Sequence, residues 1–363
     1  MNNPFISYSD EFSCEYLSYV CSLNRGVMAE LPVKGVDDSI KGKKFSEIFS
    51  TKIIIEDIKK TAKKYGVDLS QYEDHQLPKI IDRGLVCDDI KLKGLSNKIA
   101  VKYGNRLGLI LLSLRLGQKE NRKARTDWDN SHWEYWANLN TVILVGGLAS
   151  SMFGRKLKEQ IQGIFDRKGA KPYNIVLFEN GTYIGLLGCA NALMKDNETS
   201  LVFDFGHTMT KRGIVTKSAE QISQFTTFES TPTLYMQDKF DTDEKKTKMA
   251  LSLHKNIVKI IANTYKEASK TNEPSDKIYV SIANYVAGNV LNDYRGGYAK
   301  LCVLGRDYTK ILTEDISGEL HKKVSVKLVH DGTATALYFS DIENSVCLSL
   351  GTSFGVGFPD IKI

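Results

Sequence analysis

The stretch Leu-Val-Phe-Asp-Phe-Gly-His-Thr, residues 201–208, combines a buried strand with a turn that can bind phosphate. Its apolar residues predict a strand that runs into Asp204, and Gly206 then lets the chain reverse direction. Thr208 offers a hydroxyl and a backbone N–H, and the carboxylate of Asp204 can face a magnesium ion through water. Lys211 can add positive charge near the phosphates. An ordinary hairpin that ends in Asp-x-Gly is the alternative that this stretch alone leaves open.

A second turn follows in Lys-Leu-Val-His-Asp-Gly-Thr-Ala-Thr-Ala-Leu, residues 327–337. The apolar run predicts a strand that ends at Asp331, and Gly332 and Thr333 open a predicted helix. A carboxylate at a strand end, beside a helix N-terminus, can accept a proton or face a metal-bound phosphate. Asp331 as a simple N-cap is the alternative, and the two interpretations stay open.

Two further glycine turns follow predicted strands, in residues 142–149 and 345–358. In Val-Ile-Leu-Val-Gly-Gly-Leu-Ala, Gly146 and Gly147 let a flat group lie against bare backbone. In Ser-Val-Cys-Leu-Ser-Leu-Gly-Thr-Ser-Phe-Gly-Val-Gly-Phe, the amides that follow Gly351 can approach a phosphate. The turn in residues 345–358 has neither the Gly-Lys-Ser/Thr of a P-loop nor the spacing of a dinucleotide fingerprint. Close strand-to-helix packing and a glycine-rich hairpin are the alternatives.

The remaining pattern is typical of an α/β protein. Apolar side chains at helical spacing predict helices over residues 99–114, 152–165 and 249–261. Short β-branched runs predict buried strands at Thr141–Val145, Ile175–Phe178, Ser200–Phe203, Ile278–Ile282, Val324–Val329 and Val346–Leu350. Residues 1–48 show little periodicity, and residues 118–140 place three tryptophans among many charges, as in an aromatic-anchored loop or helix.

Composition narrows the function classes. A chain of 363 residues predicts two domains, and 42% hydrophobic with 25% charged residues excludes wholesale disorder. The net charge of +6 is dispersed, so no nucleic-acid partner is expected. The six cysteines form no CxxC pair, which predicts free thiols and no zinc site. Neither a signal peptide nor a membrane span is visible, so we expect a cytoplasmic protein without a membrane partner.

Together, the four turns resemble the phosphate and adenosine segments of the ASKHA superfamily of sugar kinases, heat-shock ATPases and actin, above all ROK-type sugar kinases and hexokinases. Asp204–Thr208 resembles Asp-x-Gly-Gly-Thr, with His207 at the second glycine. His330-Asp331 and the following residues resemble Asn-Asp-x-x-x-x-Ala, with His330 in place of Asn. The Gly351 segment resembles Gly-Thr-Gly-x-Gly. The resemblance covers about residues 95–363 and is thin over residues 1–90.

The motifs stand in a different order from that family. The segment that resembles the adenosine turn, Val145-Gly-Gly147, comes before the Asp204 turn. The resemblance therefore implies a circular permutation of two RNase H-like (actin-like ATPase) domains that flank a nucleotide cleft. The predicted phosphate-1 and acceptor-side domain is 198–340, and the adenosine-side domain is 1–197 plus 341–363. A chance set of glycine turns in a different α/β fold remains the competing account.

The resemblance also implies an activity and its residues. It predicts an ATP-dependent phosphotransferase with Asp331 as general base and Asp204 holding Mg²⁺ through water. The predicted ATP- and phosphate-binding residues are Asp204, Gly206, Thr208, Lys211, Gly351, Thr352, Gly146 and Gly147. The predicted substrate-binding residues are Asn284, Asn292, Arg295 and His330, whose polar groups suit hydroxyls.

The acceptor predicted by the resemblance is a sugar or a related polyol, and a homodimer is expected. The family's Glu-x-Gly-His sugar segment and its Cys-x-Cys-Gly-x-x-x-Cys zinc motif are not visible, and the absent zinc motif predicts no zinc. Two alternatives stay open, a non-catalytic sensor that binds nucleotide or sugar, and an ATPase of the same fold. The pair Asp204 and Asp331 favours an enzyme, whereas His207 favours a sensor.

Overall fold

The computed structural model describes residues 2–178, 181–293 and 296–363. The chain forms two compact units. Unit 1 contains Met1–Phe5, Val20–Thr182 and Asn344–Val356, and unit 2 contains Ile6–Tyr19, Tyr183–Glu343 and Gly357–Ile363. The mixed α/β class is confirmed. The domain boundaries 198–340 and 1–197 plus 341–363 stay a prediction.

The strands lie mainly in two sheets, one in each unit. They are β1 (Ile6–Ser9), β2 (Cys14–Leu17), β3 (Thr141–Val145), β4 (Asn174–Leu177), β5 (Glu198–Phe205), β6 (Met209–Ser218), β7 (Gln221–Pro232), β8 (Lys277–Ile282), β9 (Val286–Ala287), β10 (Val290–Leu291), β11 (Ser325–His330), β12 (Ser345–Leu350) and β13 (Phe354–Gly357).

The helices separate many of these strands. They are α1 (Phe45–Ile48), α2 (Thr51–Tyr65), α3 (Leu77–Gly84), α4 (Ile90–Leu116), α5 (Lys119–Lys123), α6 (Asn130–Asn138), α7 (Ser151–Lys168), α8 (Ile184–Leu193), α9 (Asp243–Ala268), α10 (Tyr308–Leu320) and α11 (Asp331–Leu337). Within the described part of the chain, none of these helices is both long enough and apolar enough to span a membrane.

Unit 2 is built on the sheet β11-β8-β5-β6-β7. Strands β5, β6 and β7 follow each other as antiparallel neighbours, and β8 and β11 then add in parallel on the other side of β5. The crossovers to β8 and β11 contain α9 and α10, because parallel neighbours need a long connection.

Register in unit 2 brings the carboxyl ends of the three parallel strands level. Phe205 of β5 and His330 of β11 both pair with Ile282 of β8. Asp204 therefore precedes the end of β5 by one residue, and Asp331 follows the end of β11. The sheet alone brings these two carboxylates to one edge.

Unit 1 is built on the smaller sheet β13-β12-β3-β4, in which β12, β3 and β4 run parallel. All five residues of β3 are buried, as expected of a strand covered on both faces. Helix α4 packs on α7 through glycines. A Cβ at Gly108 would lie 2.9 Å from a side-chain carbon of Ile164, so glycine is needed for this close helix contact.

An aromatic cluster holds the amino-terminal segment of unit 1. The ring of Phe5 lies 5.2 Å from that of Trp128 in an edge-to-face contact. The buried Arg125 donates to the carbonyls of Val20 and Ser22 at 2.7 and 2.9 Å, and its guanidinium lies over Trp128. These contacts fix a segment for which the sequence predicted no elements.

Candidate functional site

The first component of the site in unit 2 is the carboxylate of Asp204, whose side chain is 12% exposed. Its Oδ1 accepts a hydrogen bond from the Ser281 hydroxyl at 2.9 Å. Its Oδ2 lies 3.2 Å from Nζ of Lys211, which is its cross-strand partner on β6. Register therefore sets up this ion pair, and the burial of Asp204 is compensated by one cation and one hydroxyl donor.

Hydrogen bonds to Gly206 fix the backbone of the turn between β5 and β6. The Gly206 N–H donates to the Met209 carbonyl at 3.2 Å. The Gly206 carbonyl accepts from the hydroxyls of Tyr298 at 3.0 Å and Thr233 at 2.9 Å. Thr208 at the tip of the turn is exposed. The backbone is thus fixed while the tip remains accessible, which suits binding of an anion by backbone donors.

The second carboxylate, Asp331, opens α11. Its Oδ1 accepts the Gly332 N–H at 2.7 Å, and its side chain is 37% exposed. Desolvation by the surrounding protein, followed by the negative charge of Asp204, raises the pKa of Asp331 to about 7. A carboxyl group in this range can both lose and accept a proton near neutral pH.

His330 holds the backbone that precedes Asp331. Its Nδ1 accepts the Thr333 N–H at 3.1 Å, so His330 is the N-cap of α11, and the simpler interpretation of Asp331 as the N-cap is wrong. Burial lowers the pKa of His330 to about 3, which keeps the ring neutral. The ring stacks on Tyr285 at 4.4 Å, and Nε2 lies 3.2 Å from Oδ1 of Asp331.

Two glycines of α8 shape the surroundings of these carboxylates. A Cβ at Gly185 would lie 3.3 Å from the carboxyl carbon of Asp204, and a Cβ at Gly188 would lie 1.8 Å from the Ala334 carbonyl oxygen. Gly188 therefore lets α8 approach α11 closely. Gly185 avoids a close contact between α8 and the carboxylate of Asp204.

The turns of unit 1 hold glycines of two kinds. Gly146 has φ +93°, and a Cβ there would lie 2.7 Å from the Leu350 carbonyl oxygen, so this position requires glycine. At Gly147 a Cβ would meet no atom within 4 Å. The space beside Gly147 is a cavity of about 330 Å³.

The walls of this cavity come from two parts of unit 1. One wall follows β3 and includes Leu148, Ser150 and Phe153, and the other is formed by α2 and α3. The two walls are joined by Asp82 of α3, whose Oδ1 accepts the Phe153 N–H in the first turn of α7 at 2.8 Å.

Hydrogen bonds at Gly351 and at Phe354 fix the two ends of the Gly351 turn of unit 1. The Gly351 carbonyl accepts the Thr51 N–H at 2.9 Å. The Asn24 side chain accepts the Phe354 N–H at 2.9 Å and donates to its carbonyl at 2.8 Å. Thr352 between these contacts is exposed, so its hydroxyl is accessible to a ligand.

The predicted acceptor residues differ in their surroundings. Asn284 is buried, and both of its amide atoms bond to the backbone of Asn292, at 3.0 and 3.2 Å. Asn284 therefore clamps the β9–β10 hairpin in this structure. Arg295 lies outside the described residues. His330 contacts Thr333 and Asp331 as described above.

The structure thus brings Asp204, Gly206, Thr208, Lys211, Asp331 and His330 to the carboxyl-end edge of the unit 2 sheet, and Gly146, Gly147, Gly351 and Thr352 to the turns of the unit 1 sheet. Sequence reasoning missed Ser281, whose signal was a polar residue in the otherwise apolar end of β8. It also missed Thr233 and Tyr298, which carry no such signal. Among the described residues, no group of three or more His, Cys, Asp or Glu side chains could hold a metal ion.

Two solved structures show a distant likeness. The ethanolamine utilization protein EutJ from Carboxydothermus hydrogenoformans is 16% identical with a TM-score of 0.31, and the match covers 64% of this chain and 75% of that chain. MreB5 of Spiroplasma citri bound to ADP is 13% identical with a TM-score of 0.17, and the match covers 59% of this chain and 66% of that chain. No family model and no curated protein matches the chain.

Proposed function

We propose that this chain is an ATP-dependent phosphotransferase of the sugar kinase type, with Asp331 as the base. One observation carries the proposal. Two carboxylates meet at one sheet edge in different environments, Asp204 paired with Lys211 and Ser281, and Asp331 with a pKa raised to about 7. Two neighbouring carboxyl groups in environments this different are typical of sites where one group binds a cation and the other transfers a proton.

Asp331 supplies the proton transfer in this proposal. The acceptor hydroxyl attacks the γ-phosphorus, its proton passes to the Asp331 carboxylate, and the bond from phosphorus to the ADP oxygen breaks. The contact of Asp331 with the Gly332 N–H uses one oxygen, so the second oxygen is the one that faces the hydroxyl. A base with a pKa near the working pH is matched to this step.

Asp204 supplies the position for magnesium. Mg²⁺ keeps several waters and is commonly held by one or two carboxylates together with substrate phosphates. The carboxylate of Asp204 has only acceptor atoms, and 12% of its side chain is exposed, so its chemistry fits a contact with magnesium through water. Bound magnesium would neutralise charge on the phosphates, while Thr208 and Lys211 would bind their oxygens and Gly206 would shape the turn, since its N–H donates to the Met209 carbonyl.

Unit 1 supplies the base-binding part of the proposal. The cavity beside Gly147 has a volume of about 330 Å³, and apolar residues such as Ile54, Leu148 and Phe153 line it together with polar ones, which suits an adenosine moiety. Gly351 and Thr352 would add backbone and hydroxyl donors to phosphate. A sugar or related polyol as acceptor, and a homodimer as the assembly, belong to the same proposal.

We also propose that the chain is a circularly permuted pair of RNase H-like domains. In unit 2, three antiparallel strands precede two parallel ones. In unit 1, β12 and β13 from the carboxyl-terminal part join β3 and β4 from the earlier part of the chain. Permutation accounts for this joining of distant chain segments, since closing and reopening a chain preserves its sheets.

The test is ADP release from Mg-ATP, measured with and without a panel of hexoses, N-acetylhexosamines, polyols and nucleosides. We expect one acceptor class to stimulate turnover, and Asp331→Asn to abolish the stimulation. Asp341→Asn, which removes an exposed carboxylate of the same unit, is the matched control and should behave like the wild type. Full phosphoryl transfer by Asp331→Asn would show that the base is wrongly assigned.

The second candidate function is a nucleotide-binding sensor without transfer activity. Its supporting observation is that both oxygens of Asp204 already have protein partners, Ser281 and Lys211. A carboxylate satisfied in this way has less need of a metal ion. Thermal stabilisation by Mg-ADP together with no turnover on any acceptor would favour the sensor.

A further inference from the structure

Strand β7 is an edge strand of the unit 2 sheet and the longest of the described strands. Its residues Gln221–Pro232 pair with β6 on one side only. Apart from that pairing, the one hydrogen bond that a described residue makes to the β7 backbone runs from Nε of Arg212 to the Glu229 carbonyl, at 2.8 Å. The N–H and C=O groups along the outer side of β7 are therefore available to another strand.

Aromatic side chains fix β7 from both faces of the sheet. Phe225 packs on the cluster of α8, where its ring lies 5.9 Å from that of Tyr183 in an edge-to-face contact. Phe228 packs on the cluster of α9 on the opposite face, and the guanidinium of Arg212 lies 5.8 Å from its ring. The edge is thus ordered before any partner arrives, so pairing costs little further loss of conformational entropy.

The edge is almost without charge. Residues 221–237 contain one charged side chain, Glu229, in a chain of which 25% of the residues are charged. Sheet edges that avoid pairing commonly carry lysine, which repels a second strand, and β7 has no lysine. Two copies of this stretch can lie antiparallel without like charges directly opposite each other. The charge pattern therefore fits a second copy of the same strand.

The pairing of β6 with β7 shows where such a contact would be centred. Residues 224–228 pair in regular register with residues 212–216, and the register shifts beyond each end of this stretch. Bulges at those shifts bend the strand and interrupt a regular edge. The middle of the regular stretch is Thr226. A two-fold axis perpendicular to the sheet pairs antiparallel strands around one residue, so Thr226 is the position for that axis.

We propose that β7 pairs antiparallel with β7 of a second copy of this chain, with the two-fold axis at Thr226. Gln224 of one copy then lies opposite Phe228 of the other, Phe225 lies opposite Thr227, and Thr226 lies beside its own copy. Two five-stranded sheets become one continuous sheet, and the contact closes at two copies because each copy uses this edge once. The inference rests on the homodimer of the proposed function, for which it supplies the surface, and is independent of the transfer activity.

The first test measures the mass of the full chain by sedimentation at a series of protein concentrations. We expect a wild-type dimer. Thr226→Lys should raise its dissociation constant about fivefold, because the variant places two like charges directly opposite each other at the axis. This loss should shrink at high salt, since ions screen exposed charges. Thr247→Lys adds the same charge at an exposed position of α9 and should dimerise like the wild type.

A cysteine variant tests the position of the axis independently. Directly opposite residues of antiparallel strands have Cα atoms about 4.5–5.5 Å apart, which is within the range for a disulfide. Under mild oxidation, Thr226→Cys should therefore give a cross-linked dimer on a non-reducing gel. The wild type, with its six native cysteines, gives the background, and Thr247→Cys should not exceed it.

Three results would overturn the inference. A wild-type chain that is monomeric at every concentration defeats it together with the proposed homodimer, while the transfer activity keeps its own test. A dimer that Thr226→Lys leaves intact and Thr226→Cys does not cross-link lies on another surface, which defeats the inference alone. If Thr226→Lys weakens the dimer but Thr226→Cys does not cross-link above background, the strands do not pair antiparallel around Thr226, and the proposed arrangement is wrong.

Discussion

The sheet edges of the two units carry opposite chemistry. In unit 2 the edge has two carboxylates, Asp204 and Asp331, and desolvation, followed by the negative charge of Asp204, raises the pKa of Asp331. In unit 1 the turns after β3 and β12 carry glycines and hydroxyls, and the carboxylate of Asp82 is used by a backbone N–H. Function in unit 2 should therefore depend on charge, and function in unit 1 on the shape of the backbone.

The largest effect should come from the charge of unit 2. Asp331→Asn removes the proposed base, and phosphoryl transfer should fall by about 10²–10⁴-fold. Binding of Mg-ADP, measured by calorimetry, should change little, because the variant keeps the acceptor oxygen for the Gly332 N–H. In the wild type, transfer should be lost as the pH falls through about 7, since the carboxylate must be ionised to accept a proton. Transfer that is flat from pH 5 to 9 would contradict the role of Asp331.

Substitutions of two neighbouring glycines test how much the backbone shape of the turn after β3 matters in unit 1. Gly146→Ala should lower the free energy of unfolding by about 3 kcal/mol, because φ is +93° and the new Cβ would lie 2.7 Å from the Leu350 carbonyl oxygen. Gly147→Ala meets no atom within 4 Å and should leave stability nearly unchanged. Urea denaturation of both variants measures the difference. If Gly147→Ala is the more destabilised of the two, the backbone argument for this turn fails.

The sequence predicted the buried strands well and the exposed ones poorly. Strand β3 was predicted with the bounds that it has, Thr141–Val145, because a continuous apolar run marks a strand covered on both faces. Strands β6 and β7 were missed, since many of their residues are polar or exposed. Their pairing depends on β5, a tertiary contact that a local pattern does not reveal.

The candidate site was predictable only where a residue stands directly after a strand. Asp331 and Gly146 follow such strands, so a local pattern was enough to select them. Ser281 contacts Asp204 from a neighbouring strand, and its role depends on register between β5 and β8. The wall formed by α2 and α3 was beyond prediction, because nothing in residues 51–84 indicates that they reach Gly147. Asn284 was selected for its amide, but its hairpin contacts became visible only in three dimensions.

A smaller effect should follow from removing a neutral partner of Asp204. Ser281→Ala deletes the hydroxyl that donates to Oδ1 at 2.9 Å. The loss should be about 1.5 kcal/mol in the free energy of unfolding, at the low end for a hydrogen bond to a charged group because Lys211 remains paired. Urea denaturation measures it, with the exposed Thr227→Ala on β7 as control. Equal stability of the two variants would show that Ser281 contributes nothing to holding the carboxylate.

The last expected effect is a pH dependence of stability that arises from Asp331. Its pKa in the folded protein is about 7, against an ordinary value of 3.8, so between these values the folded state binds the proton more tightly than the unfolded state. Stability contributed by this group is therefore present at low pH and is lost as the pH rises from about 4 to 7. Asp331→Asn lacks this loss, so the variant should gain stability relative to the wild type across that range.

The pH dependence of stability also shows whether burial or the charge of Asp204 is the main cause of the raised pKa of Asp331. Asp204→Asn removes a negative charge that contributes to the raised pKa of Asp331. In this variant, the pH range over which stability is lost should therefore end at a lower pH. Desolvation is the larger cause, however, so part of the shift should remain. If the range disappears completely in Asp204→Asn, the interaction of the two carboxylates dominates. If the range is unchanged, the carboxylates of unit 2 act independently, and the contrast with unit 1 then lies in composition rather than in charge coupling.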